Sequence, residues 1–304
     1  MLKRQALERA SENGEISEPP EAHDPPNSAG PVARPPPYVK RRERASSAGS
    51  ARVSAPFFSV VIPIYDRTFE LEQAARSIFE QTETSWELIL VQDGSPAETR
   101  SVVREIAKDR RVRVFTYDEP SGNACRARNR GILEARGDFV ALLDSDDVAL
   151  PNRLESTRRI AEKTGSDIIA GCAIYNVQGA SHTSVRAGER SYAIPLSLGC
   201  LYRLNPFVTS CISIRRSSLL IHGGFRPAMR YREDQELWLR LYYRGCSFHF
   251  TDELFGVYRI HEGNLEPQVN NNPDYWVKAV RSEYRLPFKD WGIGNTRPVV
   301  QVQA

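Results

Sequence analysis

Phe139-Val140-Ala141-Leu142-Leu143-Asp144-Ser145-Asp146-Asp147 joins a five-residue apolar run to four polar residues, three of them carboxylates. A short apolar run bounded by polar residues is the pattern of a strand buried on both faces. Strand side chains alternate between faces, so Asp144 and Asp146 are expected side by side at the carboxyl end of that strand. Neighbouring carboxylates repel, and burying them is costly unless a cation sits between them. Oxygen ligands of this kind suit Mg²⁺ or Mn²⁺, ions that also bind diphosphates. The chemistry this predicts is a metal-assisted reaction on a nucleoside-diphosphate compound. The competing reading, a polar turn between a strand and a helix, accounts well for Asp147.

The pattern around this stretch sets the fold class. Apolar strand-like runs fall at 58–65, 86–91, 112–116, 139–143 and 167–175. Helical spacing falls between them, at 69–81, near Val102, Val103 and Ile106, at 123–135, and at 151–163 with Pro151 near a first turn. Pro63 inside the first run predicts a bulge or a strand end. Strands alternating with helices predict an α/β fold, a Rossmann-like, mainly parallel sheet flanked by helices on both faces. Ligands of such sheets bind beyond the carboxyl ends of the strands. Asp66, Asp93, Asp144 and Asp146 all follow strands, which predicts one shared cleft.

Beyond about Asn176 the rhythm breaks, with no helix-strand repeat over 177–230. It resumes with a helix at 234–244, carrying Leu237, Trp238 and Leu241 on one face, and an extended segment at 248–258. Residues 1–56 hold Pro19-Pro20, Pro25-Pro26, Pro35-Pro36-Pro37, the basic run Lys40-Arg41-Arg42 and a Ser-rich tract. With so few apolar residues they are expected to form a disordered extension. The basic run reads as a solvated linker or as a contact to anionic lipid. The expected organisation is therefore an extension at 1–56, a domain at 57–285 divided into a nucleotide-binding half (57–176) and an acceptor-side half (177–285), and a tail at 286–304.

Bulk properties exclude several classes. The net charge of +3 over 304 residues is too small to predict nucleic-acid binding. There is no apolar span long enough for a transmembrane helix and no apolar core behind the first residues to make a signal peptide. Five scattered cysteines with no CxxC pair predict reduced thiols and no structural zinc. These points predict a cytoplasmic protein, with room for a peripheral contact at the inner face of a membrane.

Five segments in order then carry a resemblance: Ser59-Val60-Val61-Ile62-Pro63-Ile64-Tyr65, Val91-Gln92-Asp93-Gly94-Ser95, Ala127-Arg128-Asn129-Arg130-Gly131-Ile132, Leu143-Asp144-Ser145-Asp146-Asp147 and Glu233-Asp234-Gln235-Glu236-Leu237. Together, over most of residues 57–262, they resemble a family 2 glycosyltransferase with the GT-A fold. The resemblance implies a nucleoside-diphosphate-sugar donor, with a UDP-sugar favoured, a Mn²⁺ or Mg²⁺ cofactor, and inverting transfer to a hydroxyl acceptor in glycan or glycoconjugate biosynthesis. It implies that Asp146 ligates the metal and that Asp144, with Ser145 beside it, contacts metal or ribose.

Other residues keep two readings. Asp93 makes an Asx-turn or, by resemblance, accepts a hydrogen bond from the base. Tyr65, after Pro63, caps the core or stacks on the base. Asp66 serves a turn or lies near the nucleotide. Arg128 and Asn129, near a helix start that favours anions, match the family pattern and are expected near the donor. Arg126 and Arg130 are expected to be solvated surface charges. Ser95 with Glu98 forms a capping-box pattern, with Pro96 at the first helical position. Glu233 and Asp234 suit a helix's first turn by the dipole; the resemblance makes Asp234 the catalytic base and Glu233 an acceptor contact. His261 is a structural histidine or, by resemblance, a metal or diphosphate ligand.

Two other functions compete. A sugar nucleotidyltransferase would carry a Gly-rich phosphate loop after the first strand, and Pro63-Ile64-Tyr65-Asp66-Arg67-Thr68 has no glycine. A non-catalytic nucleotide-sugar-binding module would not need the full acidic set. No Gln-x-x-Arg-Trp segment is present, which favours a non-processive enzyme over a polysaccharide synthase.

Overall fold

The computed structural model describes residues 55–177, 205, 207–229 and 232–260. Most of the 1–56 extension, the stretch 178–204, His261 and the 286–304 tail lie outside the described residues.

Eight strands form one mixed sheet in the order β3-β2-β1-β4-β7-β6-β8-β5. They are β1 (Phe58–Ile64), β2 (Trp86–Asp93), β3 (Val112–Tyr117), β4 (Phe139–Leu142), β5 (Val148–Ala149), β6 (Ile168–Val177), β7 (Ile212–Arg215) and β8 (Phe248–Ile260). Among the described residues the helices are α1 (Phe69–Phe79), α2 (Ala97–Ile106), α3 (Cys125–Glu134), α4 (Arg153–Thr164), α5 (Arg216–His222) and α6 (Glu233–Tyr243), and a 3₁₀ turn, Thr209–Cys211, leads into β7. β1, β2, β3 and β4 run parallel, while β7 is antiparallel to both β4 and β6.

Period-two alternation of largely apolar strands fills both faces. Val61, Ile89, Val91, Val140 and Leu142 join residues of α3, α5 and α6 in one core, including Ile132, Leu219, Leu237 and Trp238. Their strand neighbours Val60, Ile62, Leu88, Leu90, Phe139 and Ala141 join Leu71, Ile78, Val103, Leu154 and Ile160 of α1, α2 and α4 in the other. The two helical layers leave the carboxyl ends of β1, β2 and β4 on one edge, where Tyr65, Asp93 and Asp144 follow.

Several expectations change. Pro63 is the last residue but one of β1, in register with Val91, so of the two expectations the strand end holds and the bulge does not. Val61 O accepts the Leu143 N–H (3.1 Å), so Val61 faces β4, and Pro63, two residues on, faces the same way where β4 has ended. Its missing N–H therefore breaks no ladder bond. The Ser95–Glu98 capping box does not form: Pro96 is the cap residue of α2 without a side-chain bond, and the Ser95 hydroxyl donates to Ile64 O at 3.2 Å. Within 177–230, read as irregular, lie β7 and α5.

Candidate active site

Asp144 to Asp147 form a turn closed by the Asp147 N–H donating to Asp144 O at 3.1 Å. β4 ends at Leu142, so the carboxylates are brought close by the turn and not by strand alternation as the spacing had suggested. The turn is tied down from outside. The Asp144 N–H donates to Ser210 Oγ at 3.0 Å, Ser210 Oγ donates to Asp147, and the Arg259 N–H donates to Asp147 Oδ1 at 2.9 Å. Asp147 is fully buried, while Asp144 and Asp146 are half-buried and Ser145 is buried. Burial, then the charges of Asp146 and Asp144, hold the Asp147 carboxyl well above the usual carboxylate range.

Beneath the turn, Arg153 opens α4 with no solvent exposure. The β4–β7 ladder stops at Ala141↔Ser213. One Arg153 nitrogen then reaches both Leu142 O (2.6 Å) and Ile212 O (3.1 Å), where the next rung would fall. The guanidinium thus separates the two strands and lets β4 bend into the acidic turn. Burial draws its pKa down to about 10, against the charges of Cys211, Asp147 and Asp144.

Asp234 stands in the first turn of α6, after Arg232 in the left-handed region (φ 60°). Its Oδ2 accepts from Asn205 Nδ2 at 2.7 Å and, loosely, from Thr209 Oγ1 at 3.4 Å; its Oδ1 accepts the Gln235 N–H at 2.7 Å. Thr209 and Ser210 are adjacent, so one dipeptide touches Asp234 on one side and the acidic turn on the other. Arg128 makes a second link, donating to Asp144 Oδ1 at 2.7 Å and to Glu233 Oε1 at 3.0 Å. Burial and the neighbouring Asp234 raise the Glu233 pKa, with Arg128 opposing them. The Arg128 guanidinium stays protonated, since Asp144 and Glu233 outweigh its burial.

Asp93 ends β2 and is buried. Its Oδ2 accepts the Ser121 N–H (3.0 Å) and hydroxyl (2.6 Å), and its Oδ1 accepts Arg126 Nε at 2.9 Å. Arg126, expected to be solvated, instead pairs with Asp93 and lies 4.2 Å over the Tyr117 ring. Arg130 keeps a surface position, paired with Glu134 at 3.0 Å. Gly94, at φ 73°, lets the chain leave β2 against Pro120, whose nitrogen would lie 2.4 Å from an added Cβ.

Tyr65 is 52% exposed and Asp66 is exposed beside Arg67 (3.8 Å), so both are open at the end of β1. Asn129 is spent on structure. Its Nδ2 donates to Phe225 O and its Oδ1 accepts the Phe225 N–H, both at 2.7 Å. This amide pairing fixes the loop between α5 and α6.

Residues 59–224, more than half of the chain, match the family model for Glycosyl transferase family 2. The chain belongs to that family. A Campylobacter jejuni family relative, named GalNAc(5)-diNAcBac-PP-undecaprenol beta-1,3-glucosyltransferase, is 30% identical over 211 residues, covering 67% of this chain and 65% of that one. Staphylococcus aureus TarS 1–349 in complex with UDP-GlcNAc matches with a TM-score of 0.55 at 21% identity, over 68% of this chain and 59% of that chain. Mannosyltransferase PcManGT from Pyrobaculum calidifontis, in complex with GDP-Man and Mn²⁺, matches at 0.54 and 18% identity, over 70% and 59%. At such identities the likeness establishes the fold, which is GT-A, and this glycosyltransferase spans about three fifths of those two solved chains.

The donor set suits a divalent cation in this glycosyltransferase. Three carboxylates crowd one turn, and burial, then the charges of Asp146 and Asp144, push the Asp147 carboxyl up. Carboxylate oxygens are the hard donors that Mg²⁺ and Mn²⁺ accept. Among the described residues no group of three or more His, Cys, Asp or Glu side chains converges on one point. Asp144 and Asp146 are the residues that would hold such an ion, which would supply positive charge against a bound diphosphate. His261, the third expected ligand, lies outside the described residues. No described helix is long and apolar enough to cross a membrane.

Sequence reasoning missed Arg153, Thr209, Ser210 and the Asp93–Arg126 pair. A buried arginine at a helix start looks like any first-turn polar residue, and Thr209-Ser210 lies in a region without periodicity. The one available signal for Arg126 was its helical position one turn from Asn129 and Arg130, which says nothing of the acid it faces.

Proposed function

We propose that this glycosyltransferase is metal-dependent and inverting, and that it moves a sugar from a nucleoside-diphosphate sugar, with a UDP-sugar favoured, to an acceptor hydroxyl in glycan or glycoconjugate biosynthesis. The reading rests on one observation: Thr209 and Ser210 join Asp234 to the acidic turn. A proton acceptor and a pair of metal-ligating carboxylates then face one reaction centre.

In this account Asp234 removes the proton from the acceptor hydroxyl. The oxygen attacks the anomeric carbon as the bond to the diphosphate oxygen breaks, and the bonding electrons leave with the diphosphate. One displacement inverts the anomeric carbon and needs no covalent sugar–enzyme intermediate. Mn²⁺ or Mg²⁺ at Asp144 and Asp146, with His261 as a further ligand, would neutralise charge on the leaving diphosphate. Glu233 orients the acceptor hydroxyl. Asp93 addresses the base, Tyr65 stacks on it, and Pro63, Asp66 and Ser145 line the nucleotide. Arg128 and Asn129 support this donor side from below.

The complexes of TarS with UDP-GlcNAc and of PcManGT with GDP-Man and Mn²⁺ support a nucleotide-sugar donor and a metal by fold. The name of the Campylobacter relative supports a lipid-linked glycan among the acceptors. The domain division at 57–176 and 177–285 follows the same reading, with transfer in the cytoplasm or at the inner face of a membrane. Asp234→Asn tests the base: transfer should be abolished with nucleotide binding retained, and near-wild-type turnover would overturn the assignment.

A further inference from the structure

We propose that Arg128 is a positioning residue that occupies Asp144 in place of a divalent cation, and that Glu233 is the group that allows it to let go. The proposal rests on the reading of Asp144 as a metal ligand.

Arg128 is 5% exposed, and its guanidinium lies 5.0 Å from the Phe225 ring centre. The Phe225 backbone is itself held by the Asn129 amide. The two terminal nitrogens reach Asp144 and Glu233, while Nε is buried with no hydrogen-bond partner. An arginine does not lose its proton in a protein, so this buried charge must be matched by carboxylates. Those carboxylates stand on two elements: Asp144 on the acidic turn, and Glu233 on the first turn of α6 beside Asp234.

A cation arriving at Asp144 competes with the guanidinium for the same oxygens. Once Asp144 turns to the cation, Arg128 stays compensated only through Glu233. Glu233 is thus not a metal ligand, yet it sets how costly it is to free Asp144. The same exchange draws Arg128 onto Glu233 and fixes the start of α6, next to Asp234. Loading of the donor side thereby orders the acceptor side.

The test is Mn²⁺ alone, titrated into the full chain and followed by electron paramagnetic resonance of the free ion, on wild type, Glu233→Gln, Asp234→Asn and Arg128→Met. Removing the Glu233 charge leaves Arg128 bound to Asp144, so Glu233→Gln should weaken Mn²⁺ binding by about tenfold or more. Asp234→Asn removes the same charge one residue away without touching Arg128, and should weaken it far less. In the Arg128→Met background, Glu233→Gln should no longer matter, a non-additivity that marks coupling through Arg128. Should Arg128→Met fail to fold, the contrast between Glu233→Gln and Asp234→Asn decides alone. Equal effects of those two variants, or no effect of Glu233→Gln while wild type binds Mn²⁺, would overturn the coupling and leave the metal reading standing. No Mn²⁺ binding by folded wild type would overturn both.

Discussion

The hydroxyl of Ser210 is bonded to the carboxylate of Asp147, and the same oxygen accepts the Asp144 N–H at 3.0 Å. One small side chain from the 3₁₀ turn before β7 therefore holds both ends of the acidic turn. Asp147 has no exposed surface on which water could replace it. Ser210→Ala leaves a buried carboxylate one donor short and should cost roughly 1–3 kcal/mol, read by urea unfolding. Mn²⁺-dependent nucleotide binding should weaken in the same variant, because the turn loses its anchor.

Gly131 places α3 hard against β1. A Cβ there would lie 2.3 Å from Val61 Cγ1. Gly131→Ala should destabilise by about 1–3 kcal/mol through overpacking. Val61→Ala in the same chain should recover part of that loss, since neighbouring sites do not add. Thermal unfolding of the two single variants and the double variant measures the recovery.

Acid stability depends on a group far from the site. Burial disfavours ionised Glu83, but the Ser85 N–H (2.6 Å) and Arg158 (2.9 Å) outweigh it and bring its pKa below 4.5. A depressed folded pKa gives stability that is full above the unfolded value and disappears as pH falls through the folded one. Wild type should therefore lose stability below about pH 4.5 more steeply than Glu83→Gln. Melting temperatures of both across that range check the sign.

Apart from the two-residue β5, the strands and helices before Asn176 are legible from their apolar patterns: β1 and β2 are mostly apolar runs, and α1 repeats Leu71, Ala74, Ala75 and Ile78. β7 is not, because four residues, Ile212–Arg215, show no period, and its place between β4 and β6 is set by antiparallel pairing across the chain. The candidate site residues Asp93, Asp144, Asp146 and Asp234 are suggested by motifs, but their partners are not. Ser95 illustrates why. Its local pattern favours a capping box, yet the Ile64 carbonyl, brought near only by sheet pairing, takes its hydroxyl. Arg126 illustrates it again, since Asp93 lies 33 residues away along the chain. Long-range contacts decide which charges are solvated, and those contacts do not appear in a window of sequence.

Nucleoside diphosphate binding, measured by calorimetry with and without Mn²⁺ on wild type and Asp146→Ala, tests the central claim most directly. The account expects one nucleotide to bind in a Mn²⁺-dependent manner to wild type, with that dependence lost in Asp146→Ala. Folded wild-type protein that binds no nucleoside diphosphate in the presence of Mn²⁺, or an Asp146→Ala variant that binds as wild type does, would contradict it.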